Sequence, residues 1–435
     1  MRIALVNWSR RRAGGVETYL SSIIIPELQR LKHNLLFWSE VDAPQNRERI
    51  PIPEGVPALC ASDIGEDESL AALRDWHPDL LYVHKVTEPR VEARLLDIAP
   101  AILFAHDYYG TCISGLKTFK RPTTMPCTRA FGWECLLHYY PNRCGGLNPL
   151  TMLKDYSRQS KRLEMLSKYR AILTGSEHMR AEFIRNGINP DKVFNVSLPV
   201  VWSGEIAGEN GHGELENGNG VGSYTDSRDD FAGTQNNDTG NGESKRWRLL
   251  FLGRMSNLKG GETFLEALPT VRASIAKPLR VTFAGDGPQR TEWERKAAKL
   301  RAQDSDLEIR FIGWVNDDKL DTVLLDSDLL VMPSLWPEPF GLVGPEAGLR
   351  GVPAVAFAVG GIADWLHDGV NGLLASGDPP TSSSLAEAIV RCLRDPAKLA
   401  QMRQEARKVA ETFSMQRHLS ALAKVFEKVA GSAST

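Results

Sequence analysis

Short apolar runs, each stopped by glycine, proline or a polar residue, recur in both halves of the chain. Three examples are Leu103–Ala105, Val281–Ala284 and Leu329–Met332. Runs of this length with such boundaries are typical of buried parallel strands. Stretches with helical spacing separate them, and strands that alternate with helices place a protein in the α/β class. The pattern therefore predicts parallel sheets covered by helices.

The chain is long enough for more than one hydrophobic core. It has 435 residues, so we expect two domains. With 42% hydrophobic and 24% charged residues, the composition is that of an ordinary soluble globular protein. No apolar run reaches the length of a membrane span, and the chain begins with a strand-like segment, Arg2–Val6. We therefore expect neither a transmembrane helix nor a signal peptide, and a cytoplasmic protein.

A change of composition at residues 203–245 marks the boundary between the two domains. This stretch is acidic, rich in Gly and Asn and without apolar periodicity, which predicts a disordered linker. It divides an N-terminal domain at 1–202 from a C-terminal domain at 246–412. Residues 413–435 hold a last helix, with apolar positions at helical spacing from Arg417 to Val429. Because residues 203–244 carry a net charge of −8, the rest of the chain carries +6 at pH 7.

The segment Pro337–Glu346 sets two carboxylates, Glu338 and Glu346, on either side of a Phe-Gly turn. It follows a predicted strand, and a helix should begin near Gly341 and Leu342. The N–H groups at a helix start lack intrahelical partners and carry partial positive charge, which suits a phosphate. Glu346, about one turn later, is then placed to hold a hydroxyl beside the phosphate. The alternative is an acidic helix start and a solvated loop glutamate.

Two cations follow another predicted strand, which ends at Gly253. Arg254 and Lys259 flank the crossing from this strand to a helix. Arg holds a diphosphate with a bidentate fork and Lys as a point charge, provided that small residues let the phosphate approach the backbone. A third strand runs into a tight turn at Gly285, of the kind found where parallel strands meet a ligand cleft. Ordinary surface cations and a plain βα turn are the alternatives.

The order and spacing of these motifs resemble a known family. GR(x4)KG, AGDGP, EPFG(x4)E and the following Gly360-Gly361 are similar to the C-terminal half of the retaining glycosyltransferases of family four, in the glycosyl transferases group 1. The segment Gly14–Glu17 is similar to that family's GGxE loop. The resemblance implies the GT-B arrangement, in which two Rossmann-like domains face a cleft. It also implies transfer of a sugar from a nucleoside diphosphate donor to an acceptor, with retention at the anomeric carbon.

The resemblance implies roles for individual residues and no cofactor for catalysis. Arg254 and Lys259 would neutralise the departing diphosphate, and Glu338 would face the donor sugar. His106, after a short apolar strand, looks like the family's active-site histidine, although a lone histidine there can be structural. The implied catalytic residues are His106, Glu338, Arg254 and Lys259. The implied donor-binding residues are Gly14, Gly15, Gly285, Gly341, Leu342 and Glu346.

Two positions depart from the family's commonest pattern. Gly344 and Pro345 precede Glu346 where bulkier apolar residues are usual, and Asp364 stands where a glutamate often follows the Gly-Gly pair. Proline is tolerated only inside a first helical turn, so the helix must not begin before Gly341.

An insert at 110–148 contains four of the six cysteines, at Cys112, Cys127, Cys135 and Cys144. One interpretation is a structural zinc site made by these four thiolates, or by three of them with His106 or His138. The spacing lacks the CxxC pairs that make such an assignment strong. Disulfides, or thiols that pack as small apolar groups, are the alternatives. Aromatic and basic residues in the insert predict a loop over the acceptor side of the cleft.

The expected partners are a nucleotide-sugar donor and a carbohydrate or lipid-linked acceptor, with no nucleic acid. Residues Leu150 to Arg170 form a basic amphipathic helix, which either contacts the inner face of a membrane peripherally or packs on its own domain. Polysaccharide or glycolipid assembly at the cell surface is the family's commonest setting. A sugar-nucleotide isomerase and a non-catalytic nucleotide-sugar sensor are the alternative functions. The DxD motif Asp326–Asp328 precedes a buried strand, so we expect it to end a helix rather than to bind a metal.

Overall fold

Two parallel sheets form the centres of two α/β domains in the computed structural model, which describes residues 1–12, 14–201 and 246–431. The predicted α/β class with parallel sheets is confirmed. The predicted linker at 203–245 lies outside the described residues.

The N-terminal sheet has seven strands in the order β3-β2-β1-β4-β5-β8-β9, all parallel. Its strands are β1 Arg2–Ser9, β2 Asn34–Val41, β3 Ala58–Cys60, β4 Leu80–Val83, β5 Ala101–Ala105, β8 Ala171–Thr174 and β9 Val193–Asn195. The two remaining strands of this half, β6 Thr118–Phe119 and β7 Met125–Pro126, form a small antiparallel hairpin in the insert. Helices of this half are α1 Gly15–Tyr19, α2 Ile25–Arg30, α3 Ala61–Ile64, α4 Glu66–Asp75, α5 Pro89–Leu96, α6 Glu134–Tyr139, α7 Pro149–Lys168 and α8 Glu177–Arg185.

The C-terminal sheet has six strands in the order β12-β11-β10-β13-β14-β15. These are β10 Trp247–Leu252, β11 Leu279–Ala284, β12 Leu307–Gly313, β13 Leu329–Met332, β14 Ala354–Phe357 and β15 Gly372–Ala375. The helices are α9 Gly261–Ser274, α10 Arg290–Gln303, α11 Asp317–Leu325, α12 Val343–Leu349, α13 Ser382–Arg394, α14 Pro396–Glu411 and α15 Met415–Gly431. A large apolar core surrounds this sheet, as expected for strands buried on both faces.

Each sheet reverses its strand order beside its first strand, between β1 and β4 and between β10 and β13. Ligands of open parallel sheets bind outside the carboxyl ends of the strands at such a switch point. The loops after β10 and β13 carry Lys259 and Glu338, and the loops after β4 and β5 carry His84 and His106. The topology therefore brings the candidate residues to the edges that usually bind ligands.

The last helix, α15, packs on the N-terminal sheet although it follows the C-terminal domain. Its apolar residues belong to the same buried cluster as β1, β4 and β5, and Phe426 contacts the Tyr82 ring at 5.1 Å between centroids. Leu422 and Val429 are buried in this cluster. The amphipathic spacing of α15 thus joins the two halves of the chain. Within the part of the chain that the structure describes, no helix is long and apolar enough to cross a membrane.

Candidate functional site

Lys259 and Glu338 meet at the switch point of the C-terminal sheet. The Lys259 Nζ lies 2.6 Å from Oε1 of Glu338, which also accepts a hydrogen bond of 2.5 Å from Oγ of Ser334. The Glu338 side chain is 5% exposed and that of Lys259 is 31% exposed. The carboxylate is therefore fixed inside the protein, while the ammonium group stays open to a ligand.

Glycines let the backbone after Lys259 come close to its neighbours. Gly260 has a φ of +68°, and a Cβ there would lie 1.8 Å from the carbonyl oxygen of Pro333. A Cβ on Gly261 would lie 2.3 Å from the ring of Trp293. Any side chain at either position would push α9 away from the strand ends. The KGG sequence is thus required to hold Lys259 beside Glu338.

Arg254 and Gly285 follow the neighbouring strands β10 and β11. Arg254 is exposed. A Cβ on Gly285, where φ is +129°, would lie 2.0 Å from the carbonyl oxygen of Gly253, so the two strand ends pack against each other without side chains. The backbone N–H of Gly285 donates to Gly313, and its own role in donor binding stays a prediction.

The helix with Glu346 begins at Val343, after Gly341 at a φ of +85° and Leu342. Pro345 therefore falls in the first helical turn, where its missing N–H costs little. Gly344 is explained by packing, because a Cβ there would lie 2.0 Å from the Trp365 ring. Glu346 lies one turn into the helix and is partly exposed. Its predicted contact with a ribose is compatible with this position.

Gly14 and Gly15 form the exposed start of α1, five and six residues after β1 ends at Ser9. Glu17 of the same loop is buried and accepts hydrogen bonds from Asn7 Nδ2 at 3.2 Å and Trp8 Nε1 at 3.1 Å. The glutamate of the GGxE loop thus ties the loop to β1. A π-helical turn follows at Leu20–Ile24, a distortion that is frequent near functional sites.

His106 is held by a second histidine that the sequence analysis did not identify. Nε2 of His106 lies 3.0 Å from Nδ1 of His84, and the two rings stack at 5.3 Å between centroids. Within the described residues, Nε2 of the buried His84 has no hydrogen-bond partner. Because a buried N–H without an acceptor is costly, we assign the proton of His84 to Nδ1, which donates to His106. His106 then carries its own proton on Nδ1.

Both histidines are neutral at physiological pH. Burial, together with a smaller contribution from the Lys85 charge, lowers the pKa of His106 to about 3. Burial also places the pKa of His84 well below its ordinary value, with smaller contributions from His106 and His418. A neutral pair with fixed tautomers can orient a substrate through hydrogen bonds. It does not supply a positive charge to the site.

Aromatic residues connect the His106 loop with the C-terminal cations. The Tyr108 and Trp336 rings are nearly perpendicular, with centroids 6.4 Å apart. The Lys259 Nζ lies 5.6 Å from the centroid of Trp336. Burial raises the pKa of Tyr108, and the carboxylates of Glu182 and Glu338 add to this shift. The structure therefore brings the N-terminal loop after His106 close to the Lys259–Glu338 pair.

A second contact between the domains lies at the start of α8. Ser176 Oγ donates to the carbonyl oxygen of Pro339 at 2.5 Å, and Asp364 Oδ2 accepts from the backbone N–H of Glu177 at 2.7 Å. A Cβ on Gly361 would lie 2.6 Å from Ser176. Asp364, which departs from the family pattern, thus contacts the N-terminal domain.

The four cysteines of the insert are free thiols, and Cys112 and Cys144 are buried. Burial raises the pKa of Cys144 to about 12, which keeps the thiol protonated. Among the described residues, no group of three or more His, Cys, Asp or Glu side chains is arranged to hold a metal ion. This geometry favours thiols that pack as small apolar groups. The zinc interpretation stays a prediction, and metal analysis of purified protein would find about one zinc per chain if it is right.

The DxD motif is engaged in ion pairs. Arg248 Nη1 lies 2.6 Å from Oδ1 of Asp326, and Arg403 Nη2 lies 2.9 Å from Oδ1 of Asp328. Burial alone would raise the pKa of Asp328, yet Arg248 and Arg403 hold this pKa below its ordinary value. The motif therefore joins β10, β13 and α14.

The C-terminal half of the chain matches a family model. Residues 234–409 match the model described as glycosyl transferases group 1. A D-inositol 3-phosphate glycosyltransferase of Salinispora arenicola is 34% identical over 187 residues, which cover 41% of this chain and 40% of that protein. A 2-deoxystreptamine glucosyltransferase of Streptomyces kanamyceticus is 32% identical over 183 residues, 42% of this chain and 45% of that protein. The matched segment is thus less than half of either relative.

Solved structures match nearly the whole chain. The Anabaena protein Alr3699/HepE, solved in complex with UDP, has a TM-score of 0.64 at 17% identity and covers 98% of this chain and 100% of its own. A sucrose-phosphate synthase from Thermosynechococcus elongatus has a TM-score of 0.66 at 16% identity, with 99% and 100% covered. The predicted two-domain GT-B fold is therefore confirmed.

Proposed function

Since residues 234–409 match the family model of the glycosyl transferases group 1, we propose that the protein is a glycosyltransferase that uses a nucleoside diphosphate sugar. The observation that carries the proposal is the Lys259–Glu338 pair at 2.6 Å, on the loops that flank the switch point of the C-terminal sheet. A cation beside a buried carboxylate at this edge suits a diphosphate next to a polyhydroxylated sugar. The Anabaena neighbour, which has this fold, binds UDP.

In the proposed reaction, Lys259 and exposed Arg254 stabilise the negative charge that develops on the leaving diphosphate. Electrostatic preorganisation of this kind is usually the largest single contribution to catalysis. Glu346 binds the ribose, and Gly14, Gly15, Gly285, Gly341 and Leu342 let the donor approach the backbone. His106 and Glu338 contact the donor sugar near the reacting carbon. No residue of this set is placed as an obvious nucleophile, which agrees with retention through reaction on one face of the sugar.

The proposed acceptor is a carbohydrate or a lipid-linked saccharide, used in polysaccharide or glycolipid assembly. We also propose that the protein is cytoplasmic and makes a peripheral contact with the inner face of a membrane. The supporting observation is that the insert at 110–148 follows His106 in the chain and carries basic and aromatic residues.

The test is thermal unfolding of the pure protein with UDP, GDP and ADP, because it does not require the acceptor. A nucleotide at about 100 times its dissociation constant should add about 2.7 kcal/mol to the free energy of unfolding. We expect a shift with one nucleotide, loss of that shift in Lys259→Ala, and an unchanged shift in Lys299→Ala, whose lysine is exposed on α10. Once a donor is known, Lys259→Ala should slow its turnover by about 10²- to 10³-fold. If Lys259→Ala keeps both the nucleotide-induced stabilisation and the normal turnover, the diphosphate does not bind where we propose.

A further inference from the structure

The insert and the first turns of α7 expose large apolar side chains outside the candidate site. Five of the eleven exposed large hydrophobic residues in the described part of the chain fall within residues 133–153, so the exposure is concentrated there. We call these five the apolar patch: Trp133, Leu137, Leu147, Leu150 and Leu153, which are 64%, 61%, 64%, 75% and 52% exposed. Scattered exposed leucines are ordinary, but a concentration of this kind marks an interaction surface.

The patch lies on the outer side of a packed unit. Inside, α6 and α7 share a small buried cluster around Tyr139 and Cys144, and the rings of Phe131 and Tyr156 lie 5.2 Å apart. The inner faces of both helices are thus already used by the insert's own core. The five patch residues remain outside this core and are exposed.

Lysines continue the exposed face of α7 beyond the patch. Lys154, Lys161 and Lys168 are exposed and seven residues apart, so they follow one another at two-turn intervals on one side of the helix. We call them the lysine row. Within the described residues, none of the three ammonium groups takes part in an ion pair, although Arg129 and Arg158 nearby do. Residues 120–170 contain ten Lys and Arg but only three Asp and Glu.

A surface with an apolar end that includes tryptophan, followed by unpaired lysines, has the chemistry of a helix that lies in a membrane interface. On a membrane, the leucine side chains would enter the boundary of the acyl chains, and the lysine side chains would reach the lipid headgroups. Anionic lipids would attract the lysine row. A second copy of the chain is the less suitable occupant. A two-fold interface centred on the apolar patch would leave the lysine row without a partner, whereas an anionic bilayer would bind both surfaces.

The helix that carries part of the patch, α7, is joined to the loop that follows His106. The backbone N–H of Gly110 donates to Oε1 of the buried Gln159 on α7 at 2.6 Å, so α7 holds the loop that follows His106. We propose that the apolar patch and the lysine row dock the protein on an anionic lipid bilayer, with the cleft entrance next to the lipid surface. Docking would deliver a lipid-linked acceptor to the side of the cleft that His106 borders.

The test is co-sedimentation of the full chain with vesicles of phosphatidylcholine alone, and with vesicles in which half of it is replaced by phosphatidylglycerol. We expect binding to the anionic vesicles that weakens as salt is added. Leu150→Ser/Leu153→Ser should abolish it, and Lys154→Glu/Lys161→Glu should lower the partition coefficient by more than about tenfold. The matched controls are Ile64→Ser, at a residue 45% exposed elsewhere, and Lys299→Glu on α10.

Three outcomes would overturn the proposal. They are equal binding to both vesicle types, no binding to either, and full binding by the two double variants. Light scattering adds a fourth, since a dimer that disappears in Leu150→Ser/Leu153→Ser would make a second copy the occupant. Thermal unfolding with the nucleotide shows that each variant still folds. Because the vesicle assay needs no donor, docking and the proposed glycosyl transfer can fail separately.

Discussion

At the scale of single residues, the orientation of His106 depends on His84. The two rings are joined at 3.0 Å, and this contact fixes which nitrogen of His106 carries the proton. We therefore predict that His84→Leu lowers kcat by about 10- to 100-fold with little change in the donor KM, because the His106 ring, which we propose to be catalytic, loses its orientation. His84→Asn, which keeps a donor near the position of Nδ1, should restore most of the rate. If both variants lose stability and have the same kcat, the role of His84 is packing alone.

Gly344 offers a second prediction at this scale. A Cβ there would lie 2.0 Å from the Trp365 ring, whose Nε1 donates to the carbonyl oxygen of Phe340 at 2.8 Å. Gly344→Ala should therefore shift α12 and lower the free energy of unfolding by about 1–3 kcal/mol, as overpacked cores do. It should also weaken nucleotide binding through Glu346. The control is Gly146→Ala, where a Cβ would meet nothing within 4 Å. Equal stability of the two variants by denaturant unfolding would contradict this reading.

At the scale of elements, a buried ion pair fastens the insert to the N-terminal domain. The Lys117 Nζ lies 2.8 Å from Oε2 of Glu182 on α8, and both side chains are 1% exposed. Lys117→Ala leaves a buried carboxylate with less compensation, which typically costs about 3–5 kcal/mol. We expect that loss in urea unfolding, a much smaller loss for exposed Lys154→Ala, and a partial recovery in Lys117→Met/Glu182→Leu. A mild effect of Lys117→Ala would mean that water or Arg185 replaces the lysine.

The elements that the sequence predicted are those determined by local pattern. Apolar runs and the glycines after them located β10, β13 and the start of α12, because close backbone approach requires glycine at defined positions. The family motifs pointed to Lys259 and Glu338 as site residues, but the ion pair between them was not predicted and is seen only in the structure. His84 and Trp336 were missed, and the contact of Asp364 with the N-terminal domain was not predicted, since these roles arise from contacts between segments far apart in the chain. The signal for His84 was only its place at a strand end, where a histidine is more often structural.

At the scale of the whole molecule, α15 returns from the C-terminal domain to complete a polar chain inside the N-terminal core. Nδ1 of His418 on α15 lies 2.8 Å from the Ser197 carbonyl oxygen, and its Nε2 lies 2.7 Å from Tyr19 Oη. The Tyr19 hydroxyl in turn lies 3.1 Å from that of Tyr82, beside the His84 ring. A carbonyl oxygen can only accept, so Nδ1 of His418 is the donor in its contact with Ser197. Nε2 then accepts from the Tyr19 hydroxyl, and only a neutral ring can do both. Acid therefore acts directly on the contact that holds the two halves together.

This arrangement predicts how stability depends on pH. Burial lowers the pKa of His418 to about 4, while a histidine in the unfolded chain titrates near 6.5. Between these two pH values the unfolded chain binds a proton that the folded chain does not. The free energy of unfolding therefore rises with pH, and the contribution from His418 is lost as the pH falls from about 6.5 to about 4. The slope from one such group is at most about 1.4 kcal/mol per pH unit. The pKa values of His84 and His106 are also lowered, so these two residues make the dependence of stability on pH steeper.

The measurement is urea unfolding at pH 7, 6 and 5 for the natural chain and two variants. His418→Gln keeps a polar group near Tyr19 but cannot be protonated, so its stability should fall less steeply with acid than that of the natural chain. His367→Gln replaces an exposed histidine and should leave the slope unchanged. Carboxylates titrate in all three proteins, and the difference between the slopes isolates His418. Parallel curves for the natural chain and His418→Gln would show that protonation of His418 does not control how α15 is held.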